Sequence, residues 1–235
     1  MKTRKILSVM LSAALLLQLL FAGSVTAFAG EAINVTNEAE LTAALNKTEV
    51  VDSINITDDF TIGSDCTIQY DSTHINYYSD TVVTVADGVT LTVGVGGMFG
   101  SFWPSFEGDW NTPPLPNGKI INNGKIIVAD GGALEADIDT NNGDIEIKNG
   151  GFAVMCKVNN GTVTVEDGGT YATTQGEKAE NKGIMTVYEG AVIESRMGCT
   201  LINETNGVIN LYGNFNCGCI NFGSGDDFWF ENKGT

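Results

Sequence analysis

Basic residues are scarce in this 235-residue chain: 12 Lys and Arg stand against 29 Asp and Glu, for a net charge of −17. Nucleic acid is excluded as a partner on that ground, because phosphate backbones are held by neutralising Lys and Arg. Proline is rarer still, and all 4 fall in one short stretch, at positions 104, 113, 114 and 116. Histidine occurs once, at His74. Only 17% of residues are charged, yet 43% are hydrophobic, too many for a disordered chain. Beyond the first 29 residues no apolar run is long enough to cross a membrane. Glycine, in contrast, supplies 29 residues without the three-residue period of collagen.

The opening segment reads as an address. Lys2, Arg4 and Lys5 precede an apolar run from Ile6 to Phe21, and Ala27-Phe28-Ala29 offers small residues at both positions of a cleavage site. That is the pattern of a secretory signal peptide over residues 1–29, cleaved after Ala29, with an uncleaved anchor as the competing reading. No cysteine lies at the cleavage site, so a lipoprotein is not indicated. Cleavage leaves 9 bases against 29 acids, a net charge of −20, with Arg196 the only arginine. The exported product is expected to have no membrane association, and polyanions are poor ligands for it unless a divalent cation bridges them.

A repeat dominates the remainder. Asn122-Asn123-Gly124 is followed by Ile126, Val128, Asp130 and Gly131, and the same register returns at Asn141, Asn159 and Asn181 and more loosely at Asn206-Gly207. The leading glycines are 19, 18, 22 and 24 residues apart. An earlier copy keeps Val83, Val85, Asp87 and Gly88 with Thr81 in place of the leading glycine, and residues 98–117 then form an insertion within one turn. Apolar residues two apart with Thr, Glu, Lys or Asn between them have the period of a strand with one buried face. A second strand follows each second glycine, and often a third precedes the next Asn. A unit of about 20 residues cannot bury its apolar face alone, but stacked copies bury a continuous column. The expected fold is an all-β parallel β-helix, with Gly and Asn at the corners. Neither the leucine-rich consensus nor the calcium-binding nonapeptide is present.

Repeats of this length, with Asn near the corner, an N-terminal helix and a secretory signal, resemble the right-handed parallel β-helices of the pectate-lyase-like superfamily. The match is to its non-catalytic bacterial surface and adhesin-like members and extends over residues 30–235. Such members open with a capping helix. Here Asn37 can serve as N-cap with Glu40 three residues on, a capping box, and Leu41, Ala44 and Leu45 share one helical face. That face would plug the first rung, whose strand is expected through Val50, Val51, Ile54 and Ile56. The resemblance also indicates what an enzyme would carry: clustered Asp with Arg in the lyases, or separated acidic motifs followed by G-H-G and R-I-K in the hydrolases. Gly225-Asp226-Asp227 matches one fragment, but His74 follows no glycine and Arg196 lies in Ser-Arg-Met. No catalytic residue is assigned, and a degenerate polysaccharide lyase or hydrolase is the alternative.

Several features bear on ligands. The acidic corner column Asp130, Asn149, Asp167 and Glu189 could gather Ca²⁺. The preferred reading is short polar side chains bonding their own turns, since carboxylates ~4.8 Å apart repel by only ~1 kcal/mol in water. No cofactor or metal is therefore assigned. Asn122, Asn141, Asn159 and Asn181 are expected to stack as an amide ladder, interrupted at Thr205. Of the five cysteines, Cys199 could pair with Cys217 or Cys219, while an inward thiol column that includes Cys66 and Cys156 is the preferred reading.

The insertion at 98–117 is the strongest lead to function. It holds Phe99, Phe102, Trp103, Phe106, Glu107, Asp109 and Trp110. Exposed, these rings over acids would suit the C–H faces and hydroxyls of a neutral sugar; folded back, they would cover the side of the column. Phe228-Trp229-Phe230 and then Asn232-Lys233-Gly234 begin another rung as the sequence stops, which suggests a longer protein or an open edge for self-association. The expectation is an exported, non-enzymatic surface scaffold whose partner is a polysaccharide or a host or cell-wall surface.

Overall fold

The computed structural model describes residues 32–46, 53–68, 74–77, 81–100, 119–173, 178–194, 200–216 and 229–234. They form a parallel β-solenoid in which the chain visits three sheets in turn. The first sheet has nine strands and runs from Ala32–Val35 at one edge to Asn214–Asn216 at the other. The second has eight, from Phe60–Ile62 to Trp229–Asn232, and the third has seven, from Cys66–Ile68 to Val208–Leu211. Thr162–Val165 in the third sheet, Thr170–Ala172 in the first and Lys178–Asn181 in the second make one representative turn. Pairing between successive turns is parallel and mostly in unbroken register, as in Asp144↔Thr162, Ile145↔Val163, Glu146↔Thr164 and Ile147↔Val165. One irregularity occurs at Asp139, between Ile138 and Thr140.

Strand alternation builds the core. In the third sheet Leu91, Ile126, Ile145, Val163 and Met185 form one inward column and Val93, Val128, Ile147, Val165 and Val187 a second, all fully buried. Phe99, Leu134, Ala153, Tyr171 and Ile193 line the first sheet in the same way. Each buried Val, Ile or Leu contributes roughly 1.5–3 kcal/mol over its exposed state, which is how units too small to fold alone stabilise each other.

The glycines of each repeat do two different things. The second one, at Gly131, Gly150, Gly168 and Gly190, has φ between 67° and 82°, a left-handed turn that only glycine takes without cost. These turns stack: Gly131, Gly150 and Gly168 each donate N–H to the carbonyl of the glycine one turn later. The leading glycine is required by crowding. A Cβ at Gly143, Gly161 or Gly183 would collide with the carbonyl oxygen of the corresponding glycine one turn earlier.

The N-terminal cap follows the sequence expectation with a change of partner. Helix α1 (Glu38–Leu45) is capped by Asn37, whose Oδ1 accepts from Glu40 N at 3.0 Å. Glu40 returns the bond to Thr36 N at 2.7 Å, one residue before the N-cap, and Leu41 and Ala44 are buried. Glu38 Oε1 accepts from Gly63 N and Ser64 N at 2.9 and 2.8 Å, where the edge strands of the second and third sheets meet. The helix thus occupies donors that an open edge would present.

Three expectations need correction. The first strand is Ala32–Val35, ahead of the helix, and it pairs with Ser53–Ile56; Val50 and Val51 lie outside the described residues. Val83 and Val85 do not align with Ile126 and Val128. They lie in the second sheet, where Val83 pairs with Ile120 and Val85 with Asn122, whereas Ile126 and Val128 pair with Leu91 and Val93. Both stretches have the same alternation, so local pattern assigned the earlier copy to the wrong sheet. Finally, Thr205 does not interrupt the asparagine column. Asn203 pairs with Asn181 and Asn232 with Asn203, because the corner from Glu204 to Gly207 is two residues longer than the one at Lys182-Gly183.

Candidate functional site

The insertion leaves the solenoid where the first sheet hands the chain to the second. Its flanking strands are held on both sides: Met98–Phe99 pairs with His74–Ile75 and with Ala133–Leu134, and Lys119–Asn122 with Val82–Val85 and with Asp137–Asn141. Phe99, the first aromatic of the insertion, is a core residue with no exposed surface. Gly100 marks the exit, with φ 131° and no room for a Cβ against the backbone of Glu135 and Ala136. The joins containing residues 174–177, 195–199 and 217–228 connect the same pair of sheets, whereas second-to-third joins such as Asn141 to Asp144 are tight. Phe102, Trp103, Phe106, Glu107, Asp109 and Trp110 lie outside the described residues. So do residues 1–31, Cys199, Cys217, Cys219, Asp226, Asp227 and Phe228.

Inside the wall of the second sheet runs the amide ladder. Asn122 donates Nδ2–H to Asn141 Oδ1 at 2.7 Å, Asn141 to Asn159 at 2.8 Å, Asn159 to Asn181 at 2.7 Å, Asn181 to Asn203 at 2.7 Å and Asn203 to Asn232 at 2.8 Å. The second proton of Asn122, Asn141 and Asn181 goes to a backbone carbonyl of the next turn, Asp144, Thr162 and Val208 in order. All the bonds point one way, so the column has a start, and there Asn122 Oδ1 is buried without a partner beside the Val85 turn. A second, exposed ladder runs beside it in the opposite sense, Asn160 to Asn142 to Asn123 at 2.9 and 2.8 Å. Its signal in the sequence is the middle Asn of the three triplets Asn122-Asn123-Gly124, Asn141-Asn142-Gly143 and Asn159-Asn160-Gly161.

The corner column is aligned as expected and gains Val95 at its head, 68% exposed. Asp130, Asn149 and Asp167 fold over Gly150, Gly168 and Gly190 of the next turn, into the space that a Cβ there would fill. Among the described residues no three His, Cys, Asp or Glu side chains converge as a metal site. The two described cysteines do not form a column. Cys66 pairs with Leu91 in the third sheet, whereas Cys156 follows a first-sheet strand. Burial pushes the Cys156 thiol up to about 11; its sulfur accepts the Tyr171 hydroxyl proton at 3.1 Å while that oxygen accepts Cys156 N–H at 2.9 Å.

The outer face of the third sheet changes character along its length. Lys125 meets Glu146 at 2.6 Å, Lys148 meets the same carboxylate at 3.0 Å, and Lys148 reaches on to Glu166. Partial burial pushes the Glu146 carboxyl up, but hydrogen bonds from both lysines outweigh it and hold it below its usual range. At the ends of the next two strands, Tyr188 and Tyr212 stack with ring centroids 6.4 Å apart. On the outside of the second sheet, hydrogen bonds from Lys178 and Lys182 lower the Glu180 carboxyl to about 2. None of these groups was singled out from the sequence: the Lys125, Glu146, Lys148 and Glu166 chain and the tyrosine pair are assembled from separate turns, whereas Lys178, Glu180 and Lys182 lie two residues apart along one turn. Among the described residues no helix is long and apolar enough to cross a membrane.

No family model matches the chain, and no curated protein matches it. The solved structures include a hyper-glycosylated TibA fragment modified by TibC, similar over 84% of this chain and 99% of that one, at 16% identity and a TM-score of 0.25. Likeness at that level carries no functional argument, and the assignment of the fold rests on the strand registers themselves.

Proposed function

We propose that the protein is an exported, non-enzymatic surface scaffold of the adhesin-like kind, and that residues 98–117 are its carbohydrate-binding loop. The supporting observation is the framing of the insertion. Strands on either side of it pair with both neighbouring turns, with one bulge at Asp139, so the sequence between Gly100 and Lys119 is free to vary without cost to that pairing. Two tryptophans, Trp103 and Trp110, with Glu107 and Asp109 beside them, give that loop apolar faces and hydrogen-bond acceptors suited to a neutral sugar. An acidic chain with few bases has nothing to offer a polyanion.

The test is depletion from solution by a panel of neutral polysaccharides, comparing the parent with Trp103→Ala/Trp110→Ala. The loop reading requires binding by the parent and at least a tenfold loss in the variant. Equal binding by both, or binding by neither, refutes it. Unsaturated uronides or new reducing ends released from the panel, and abolished by Asp226→Ala/Asp227→Ala, would replace the scaffold with an enzyme.

A further inference from the structure

Among the described residues, five large apolar side chains are exposed, and four of them, Ile184, Tyr188, Leu211 and Tyr212, lie on or beside the last two described strands of the third sheet. Leu211 belongs to an inward column opposite Val187. The others face outward. Ile184 pairs with Val208, Thr186 with Asn210, and Tyr188 stacks on Tyr212 with 23° between ring planes. The outer face of these strands is therefore two apolar margins flanking a polar strip, in which Asn210 donates Nδ2–H to Thr186 Oγ1 at 3.3 Å. Outward positions on a strand recur every ~6.7 Å, so the margins stand roughly 13 Å apart.

We propose that this face is a second binding platform, for a neutral, hydroxyl-rich glycan. Its chemistry is uncharged throughout: two phenols, a threonine hydroxyl, a carboxamide and aliphatic groups, with no Lys, Arg, Asp or Glu among Ile184, Thr186, Tyr188, Val208, Asn210 and Tyr212. The turns immediately before it are ionic, from Lys125 through Glu146 and Lys148 to Glu166. Charge thus ends at one strand boundary, in a chain whose net charge is −17. A polyanion would meet repulsion, and the described lysines nearest this face are already engaged, Lys148 by two carboxylates and Lys182 by Glu180. Sugar rings present both C–H faces and hydroxyls, and this surface presents the matching aromatic faces, hydroxyls and amide. Tyrosine rings supply such contact at little conformational cost, and stacking orders them before a ligand arrives.

The extent of the patch argues against a second copy of the chain as occupant. Tyr188 is 49% and Tyr212 67% exposed. With aromatics carrying about 150–250 Å² each, the two rings offer about 170–290 Å², against about 800 Å² per partner in a stable complex. The platform also stands on a different sheet from the strands that frame residues 98–117, so it succeeds or fails independently of the loop.

The experiment measures binding of cellulose, galactomannan and soluble β-glucan, with polygalacturonate as the charged control. Four proteins are compared: parent, Trp103→Ala/Trp110→Ala, and that tryptophan variant with either Tyr188→Ala/Tyr212→Ala or Tyr188→Phe/Tyr212→Phe added, so that the loop cannot mask the platform. The platform requires that the tryptophan variant keep measurable affinity for a neutral polysaccharide. Adding the tyrosine-to-alanine pair must weaken that affinity at least tenfold, and the phenylalanine pair, which retains the rings, must leave it within threefold. Polygalacturonate should not bind. A tyrosine-to-alanine pair that binds like the tryptophan variant, a phenylalanine pair as weak as alanine, or no neutral ligand at all overturns the proposal. A concentration-dependent dimer in sedimentation velocity that disappears in the alanine pair overturns it in favour of a second copy. Unchanged thermal midpoints establish that these outward substitutions leave the solenoid folded.

Discussion

The buried asparagine column makes a positional prediction that its composition alone would not suggest. Valine at Asn159 interrupts the middle of the ladder. Asn181 Oδ1 then loses the donor 2.7 Å away, and one Asn141 N–H loses the acceptor at 2.8 Å, both with negligible solvent exposure. Each buried polar group left unpaired costs about 1–3 kcal/mol, so Asn159→Val should destabilise by about 2–6 kcal/mol. Valine at Asn122 is different. Asn141 Oδ1 loses its donor, but the unpaired Asn122 Oδ1 is itself removed, so the number of orphaned oxygens does not change. The orphan merely moves one turn along, and the new valine continues the column begun by Val85. Asn122→Val should therefore be milder than Asn159→Val by about 2 kcal/mol or more. Asn160→Val, adjacent in sequence but on the exposed ladder, should change stability by no more than about 0.5 kcal/mol. Urea unfolding of all three at one pH gives the comparison, read as midpoint shifts at constant slope. Equal losses at Asn122 and Asn159, or a loss at Asn159 below about 1 kcal/mol, would show that the ladder's bonds do not carry the energy assigned to them.

The two kinds of glycine should separate under substitution. Gly161→Ala forces a Cβ onto the Gly143 carbonyl and should cost about 3 kcal/mol or more, whereas Gly88→Ala, at φ 75° with open space around it, should cost only about 1–2 kcal/mol; the reverse order in thermal unfolding would refute the distinction. Glu180 should give a pH signature. Its carboxyl titrates at about 2 in the folded protein against an ordinary 4.5, so its contribution is complete above pH 4.5 and is lost as pH falls toward 2. With Lys178 and Lys182 roughly half exposed, about 1 kcal/mol should separate the parent from Glu180→Gln at pH 7 and vanish near pH 2; parallel stability curves would rule the pairing out.

The strand period and the capping residues of α1 were legible because each depends on residues close in sequence, and the asparagine stack because the same triplet recurs from repeat to repeat. Asn37 and Glu40 are three apart, and Ile145 and Ile147 two. Errors arose where the answer depended on which turn sits beside which. Val83 and Val85 match Ile126 and Val128 in pattern and still belong to another sheet, since alternation marks a buried face without naming it. Asn203 was passed over for Thr205 because the consensus was read as a fixed length. The hydrogen-bond register holds Asn203 opposite Asn181 and lets the corner absorb the two extra residues. For the candidate site, the crowding of proline and tryptophan pointed to an insertion, but its start at residue 98 falls on the strand Met98–Phe99. Phe99 was grouped with its aromatics, yet it is core, because two neighbouring strands hold its backbone in the first sheet.

Sequence by itself determined that this chain stacks: a 20-residue unit with one apolar face has no other way to bury it, and glycine at fixed intervals sets the corners. It determined as well the excess of acids over bases, since charge is additive and needs no fold to be counted. Only the tertiary structure decided the direction of the amide ladder and its orphaned oxygen. It alone joined Lys125, Glu146, Lys148 and Glu166 across turns, and brought Tyr188, 24 residues from Tyr212, into a stack on an uncharged face. Such features lie across the strands, at the ~4.8 Å spacing between turns, and that neighbourhood is fixed by register and corner length rather than by any local run of residues.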